Sequence, residues 1–363
     1  MEISGLTAEG EKTTWEGRLE DYPLENYPDY EPGKPPRTEV LEQFSYLDEL
    51  PRIWGKRWGS QGIGRLREVA LVAPTEHETD PLWAKDPTFF LLRHAAKIDL
   101  DLLCRHHEAY AQTLRDCGVE VHLFEFEDVM GAYGPMRKLF IAGDIRVVRG
   151  GAIQSRFGHG SFKRGVEREM QRFLARIGCP IIYTVCGNGI FETGELYNVA
   201  EDVMLTMLSN SANREGLEQV RFVLERCGVK EMHAARATTI MDSFESGGEF
   251  HIDMFFGVID LRKAVIFPNQ LDYETYKWLR SKGFELIEIP ADEQQKYAPA
   301  NLVLLEPGKV IMPKGAVETI RRVERAGVEV VAIDTEGIQH GGVNGVSCIT
   351  GQLLRDPGPG LED

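Results

Sequence analysis

No apolar run in the 363-residue chain approaches the ~18 residues that a helical membrane span needs, so no such span is expected. Positive charge is in short supply. The 41 lysines and arginines face 57 aspartates and glutamates, and the net charge of −16 gives nucleic acid or an anionic membrane no reason to bind. The same balance is compatible with a cationic substrate. The start, MEISGLTAEGEK, lacks the basic-then-apolar build of a secretion signal, so a cytoplasmic location is expected. Metal-type cysteine pairs are missing too. Cysteines 104, 117, 179, 186, 227 and 348 are scattered, as reduced thiols would be.

What is present describes an ordinary folded chain, 42% hydrophobic and 27% charged, long enough to bury a sizeable core. The stretch YPLENYPDYEPGKPPR (22–37) has neither helical nor strand period. Residues 1–60 therefore read as an extended arm, laid over the body because its aromatics need cover. Residues 61–356 read as one α/β domain and 357–363 as a short tail.

The body carries a repeat. Five times a helix-like segment ends at a glycine and runs straight into an apolar strand, as in LRDCGVEVHLFE (114–125) and VERAGVEVVAID (323–334). The glycines are 118, 178, 228, 283 and 327. A glycine there suits the left-handed residue that closes a helix, and the basic residues before it suit the helix's carboxyl end. Upstream of each helix a hairpin is expected, as in LFIAGDIRVVRG (139–150), turning at GD, and LVLLEPGKVIMP (302–313), turning at PGK. Units of strand, turn, strand, helix, glycine and strand, repeating every ~45 to 60 residues, indicate a ring or array in which each unit buries its face on the next. A doubly wound open sheet is the other arrangement, but it needs no hairpin before each helix.

In a ring, one end of every inner strand lies near a common axis. Three polar groups then converge. FHIDMFF places His251 and Asp253 two apart, on one face if the segment is a strand. FETGE supplies Glu192 and Glu195, which suit either a cation site or a solvated turn. HGGVNGVSCIT (340–350) offers Cys348 among glycines that permit positive φ or close approach. Singly, each has a bland explanation: a half-exposed strand, a turn, a buried packing thiol. Together, a thiol, a histidine able to move protons and carboxylates able to hold a cation make a nucleophilic site.

These residues resemble the guanidino-group-modifying enzymes of the pentein superfamily: arginine deiminases, agmatine deiminases, dimethylarginine dimethylaminohydrolases and amidinotransferases. FHID, FETGE and the late GG-x-x-x-x-S-C-x-T pattern carry the resemblance, over roughly residues 61–356. It implies a five-bladed α/β propeller of ββαβ units, a site on the axis, no metal and no organic cofactor. By motif, Cys348 matches the nucleophile, His251 the general acid/base, and Asp253 the carboxylate that follows it. Glu192 matches the first acid of the family's E-G-G-D pattern, and Glu195 stands where its aspartate would be.

Departures from the pattern touch substrate binding. Asn210, in LSNSANREG, stands where deiminases often have glutamate. Ser347 precedes the nucleophile where amidinotransferases and agmatine deiminases have histidine, which leans toward a hydrolase. PMRKLFIAGD (135–144) aligns with an Arg-Asp whose acid contacts the guanidinium, and puts Arg137 and Lys138 there. The resemblance implies a hydrolase of a guanidino or amidine C–N bond, acting through an amidino-thioether on Cys348. Its partner is a small guanidino substrate of arginine metabolism, with a homo-oligomer left open. An amidinotransferase on the same site is the alternative, and a non-catalytic binding propeller the third.

Overall fold

The computed structural model describes residues 17–27, 29–37, 44–79, 98–136, 138–139, 141–158, 163–238, 251–340 and 345–362. They build an α/β fold of five three-stranded sheets with one topology, plus a two-stranded ribbon at Met130–Gly131 and Gly134–Pro135. Each sheet has a central strand with an antiparallel neighbour on one side and a parallel neighbour on the other. A helix delivers the parallel strand. In the fourth sheet, Phe256–Asp260 and Lys263–Ile266 form a hairpin, helix Tyr273–Ser281 follows, and Glu285–Glu288 returns parallel to Lys263–Ile266.

Local chemistry explains the helices. Asp99, Asn213 and Asp272 each accept a backbone N–H from the first turn of the helix they precede. At the other end, glycines 118, 178, 228, 283 and 327 have φ between 76° and 89°, the left-handed conformation expected of them. The N–H of the residue after each glycine reaches back to the carbonyl five positions earlier, at 2.8 to 3.3 Å. This closure satisfies carbonyls that the helix end would otherwise strand and aims the chain into its strand.

Two expectations about hairpins are corrected. The Gly143–Asp144 dipeptide is not a hairpin turn: Ile141–Asp144 is a buried 3-10 turn, and the hairpin pairs Val147–Val148 with Gly151–Gln154 around Arg149 and Gly150. Among the described residues the first unit shows no hairpin before its helix. Its central strand, Leu66–Val72, takes its antiparallel partner, Gly351–Arg355, from the far end of the chain. A turn signal reports only local conformation, and that pairing is as non-local as the chain allows.

Neighbouring sheets share core. Ala70 and Val72 pack with Val147 and Ala152, joining the first and second. Val148 and Ile153 join the second to the third through Met204. Leu205 belongs to a cluster with Val258 and Val310 that spans the third to fifth sheets. Val69 and Leu71 meet Val303 and Ile311, joining the fifth to the first. Of the arm, Tyr46 on helix Tyr46–Trp54 donates its hydroxyl to the Gly150 carbonyl at 2.9 Å and Trp58 is buried. Tyr22 and Tyr27 pack edge-to-face on each other instead.

Gly327 tests the closure. A Cβ added there would meet no atom within 4 Å, so Gly327→Ala imposes only the backbone penalty. A loss of about 1–2 kcal/mol is expected by urea unfolding at constant slope. An unchanged midpoint would show that the left-handed residue carries no cost.

Candidate active site

Four short 3-10 turns stand at equivalent places, each just ahead of the first strand of a hairpin or, for the last, of the closing strand. They are Ile141–Asp144, Thr193–Glu195, Ile252–Met254 and Ser347–Ile349. The fifth unit has a turn in the same place, where the Asn301 N–H donates to the Ala298 carbonyl ahead of strand Val303–Glu306. These turns bring in Asp144, Glu192, Glu195, His251, Asp253, Asn301 and Cys348. His251 thus precedes a turn and Asp253 lies within it, rather than both sharing a strand face, since the chain reaches extended pairing only at Phe256.

The turns touch closely. A Cβ on Gly143 would run into the Cys348 carbonyl oxygen, and one on Gly194 would lie 2.6 Å from the His251 ring and 2.8 Å from Asp144 Oδ1. Neither position has room for a side chain. Gly345 likewise lies against Asn301, whereas Gly341 and Gly342 fall outside the described residues.

Cys348 is half-buried. Its backbone N–H donates to Asn301 Oδ1 and its Sγ accepts from Asn301 Nδ2, both at 3.2 Å. Burial, then Asp253 and Asp144, push the thiol well above its ordinary pKa, against the opposing pull of Asn301 and Lys163. In the empty site it is a neutral thiol. His251 Nε2 lies 3.3 Å from Glu192 Oε2 and 3.7 Å from Asp144 Oδ1. Burial alone would lower its pKa, but those two carboxylates outweigh it and raise it to about 9. Lys163 Nζ donates to Asp144 Oδ2 at 3.0 Å and to Glu192 Oε2 at 2.5 Å. Lys163 and His251 together hold Glu192 well below the usual carboxylate range in spite of its burial. Glu195 is different: burial pushes it up to about 8, although Ser209 Oγ donates to its Oε1 at 2.6 Å.

Three buried carboxyl oxygens, Asp144 Oδ1, Glu195 Oε2 and Asp253 Oδ1, have no hydrogen-bond partner among the described residues. Buried acceptors need N–H or O–H donors, whereas Glu195, which keeps its proton to about 8, can itself donate from Oε2. Asp144, Glu192 and His251 also place one ligand atom each within 4.8 Å of one another, a spacing that could hold a metal ion. The Lys163 ammonium already bridges the two carboxylates, so an ion there would have to displace it.

Lys138 is buried with its ammonium 2.6 Å from Thr75 Oγ1 and 6.0 Å from the centre of the Phe126 ring, and Arg137 lies outside the described residues. The acid of PMRKLFIAGD is Asp144, at its end, and among the described residues the cation beside it is Lys163 rather than Lys138. Asn210 is exposed, and its neighbour Ser209 makes the contact to Glu195. Ser347 is buried and lines a cavity of about 20 Å³ with Arg146, Tyr197, Gln352 and Arg355. Sequence reasoning missed Asp144, Lys163 and Asn301. Asp144 and Asn301 had a signal, a polar residue just ahead of an apolar strand as in FETGE and FHID; Lys163 had none.

The arginine deiminase family model matches residues 268–355. The chain is 32% identical over 325 residues to the 2-nitroimidazole nitrohydrolase of Mycobacterium sp. (strain JS330), an alignment covering 86% of this chain and 85% of that one. It is 26% identical over 275 residues to the N(G),N(G)-dimethylarginine dimethylaminohydrolase of Pseudomonas aeruginosa, covering 71% and 91%. Its fold matches the inosamine-phosphate amidinotransferase of Streptomyces griseus with a TM-score of 0.63 at 13% identity, covering 84% of this chain and 98% of that one.

Glu195 makes the electrostatics measurable. Unfolded, its carboxyl loses a proton near 4.5; folded, it keeps the proton to about 8. The folded state binds the extra proton between those values, so the contribution of Glu195 to stability is full below about 4.5 and is lost as pH rises to about 8. Glu195→Gln removes the titration. Its stability relative to the parent, from urea unfolding at pH about 5 and about 8, should improve with pH. A pH-independent difference would mean that Glu195 ionises like an exposed acid.

Proposed function

Because the chain belongs to the pentein superfamily of guanidino-group-modifying enzymes, we propose that it is a cysteine-dependent enzyme acting on a carbon held between two nitrogens. Cys348 is the nucleophile and His251 the proton donor and acceptor; Asp144 and Asp253 hold the substrate's N–H groups, and Glu195, which keeps its proton to about 8, hydrogen-bonds to the substrate as a neutral acid. The observation that carries this reading is the pair of buried carboxyl oxygens, Asp144 Oδ1 and Asp253 Oδ1, that lack a donor among the described residues and lie on turns packed with that of a half-buried thiol. The five sheets are read as blades of a closed propeller, because core is shared from each to the next and from the fifth back to the first.

The chemistry runs in two halves. An unprotonated substrate nitrogen takes the thiol proton, or a bound cation drives its release to solvent, and the thiolate sulfur then adds to the central carbon. His251 gives its proton to the departing amine, the C–N bond breaks, and a thioether remains on Cys348. Neutral His251 then takes a proton from water, hydroxide adds to the same carbon, the C–S bond breaks and the thiolate returns. An acceptor amine in place of water makes the reaction an amidino transfer. A second reading has its own support in the 32% identity to a 2-nitroimidazole nitrohydrolase. There the group expelled from the N–C–N carbon is nitrite, which departs as an anion and needs no proton from His251.

Cys348→Ser should reduce turnover to background with an unchanged melting temperature, since the alkoxide forms far less readily than the thiolate. His251→Asn should accumulate the S-linked adduct, seen as a mass increase on the Cys348 peptide after acid quench. Residual turnover in the serine variant would rule out the covalent route.

A further inference from the structure

The mechanism above gives Lys163 no part, yet its side chain is 4% exposed and its ammonium bridges Asp144 and Glu192. Asp144 is one of the acids that would hold a substrate, and Glu192 is its ionised neighbour. These two carboxylates face two cations, Lys163 and His251, before any substrate arrives. A guanidinium would add a positive charge to a cluster that is already balanced. Uncharged N–H donors would not, and Asp144 Oδ1 and Asp253 Oδ1 are acceptors placed to receive them.

We propose that Lys163 is a tethered stand-in for a substrate cation. It occupies the carboxylate grip, and the site therefore takes an uncharged N–C(X)–N unit, an azole or neutral amidine whose X leaves as an anion, in preference to a guanidinium. The inference rests on Cys348 being the nucleophile and narrows the substrate class of that site. In the reaction the sulfur adds to the carbon and the thiol proton passes to the unprotonated nitrogen. The C–X bond then breaks, and X⁻ departs with its electron pair, offset by the Lys163 ammonium. Water next adds to the carbon and the C–S bond breaks, leaving a carbonyl and the thiol. One water is consumed, and one proton and X⁻ are released.

Alkylation of Cys348, read by peptide mass spectrometry, tests this without a known substrate. 2-Chloroacetamidine carries a guanidinium-like cation, and 2-chloroacetamide is its neutral counterpart. The ratio of their rates, normalised to that for a small free thiol, is expected to be at or below one in the parent enzyme. Lys163→Met should raise it by about tenfold or more, because the grip is vacated. Millimolar methylguanidine should leave the parent's alkylation by chloroacetamide unaffected. These parent measurements decide the matter even if Lys163→Met does not fold. A parent ratio well above one with protection by methylguanidine, or a ratio unchanged in a folded Lys163→Met, overturns the role of Lys163 and leaves Cys348 as nucleophile. Failure of both reagents to label Cys348 overturns the nucleophile and the inference together.

Discussion

The structure depends on one constraint: a three-stranded unit with a helix on its back cannot bury both of its faces alone. Each unit must lean on the next, and the glycine closure fixes how. Once the residue after each glycine has bonded back into the helix, the chain leaves at a set angle and pairs parallel to the central strand. Because that geometry is repeated five times, the leading ends of the sheets are equivalent places. A polar side chain put just ahead of a strand in one unit is thereby brought near its counterpart in the others. Asn301 and Cys348 are 47 positions apart yet exchange two hydrogen bonds.

The same crowding makes the site electrostatically demanding. Taking a single ion from water to a dry interior costs several kcal/mol, and carboxylates that meet without cations would protonate instead. Glu195, supported among the described residues by a hydroxyl within hydrogen-bond reach, takes that course, its pKa pushed up to about 8. Glu192 takes the opposite one because Lys163 and His251 lie against it. Two glutamates three residues apart thus differ in protonation, one ionised and one neutral, as their neighbours dictate. The cluster stays charged in the empty enzyme because Lys163 supplies what a cationic ligand would otherwise bring.

How much of this the sequence discloses follows from the range of each interaction. Glycine 327 and its four counterparts were legible because a left-handed closure is written within one helical turn. Cys348, His251, Glu192 and Glu195 were legible as chemistry because a thiol, a histidine and acids beside apolar strands need a common explanation. The conformation at His251 was not legible, since alternation of polar and apolar residues in FHIDMFF fits a strand as well as the turn that forms. Asp144 was hidden by its dipeptide, because Gly-Asp is the chemistry of an exposed turn and only burial against Cys348 reveals otherwise. Lys163 could not be found at all. Its meaning lies in two carboxylates 19 and 29 positions away, and no local pattern encodes such a bridge.

The resting protonation states constrain the order of events. His251, raised to about 9, begins as an acid and cannot accept the thiol proton. On the proposed route that proton goes to the substrate or is released to solvent as a cation binds, so the thiol is armed once a ligand is bound. If the leaving group is an amine, it takes the proton of His251, and the imidazole is then free to activate water. If the leaving group departs as an anion, His251 keeps its proton, and the second half needs less help. The thioether then carries the proton gained from the thiol on its nitrogen, which makes its carbon more electrophilic toward water. A neutral Cys348 thiol and a charged His251 are therefore consistent with both leaving groups, and the charge already held by Lys163 is the feature that separates them.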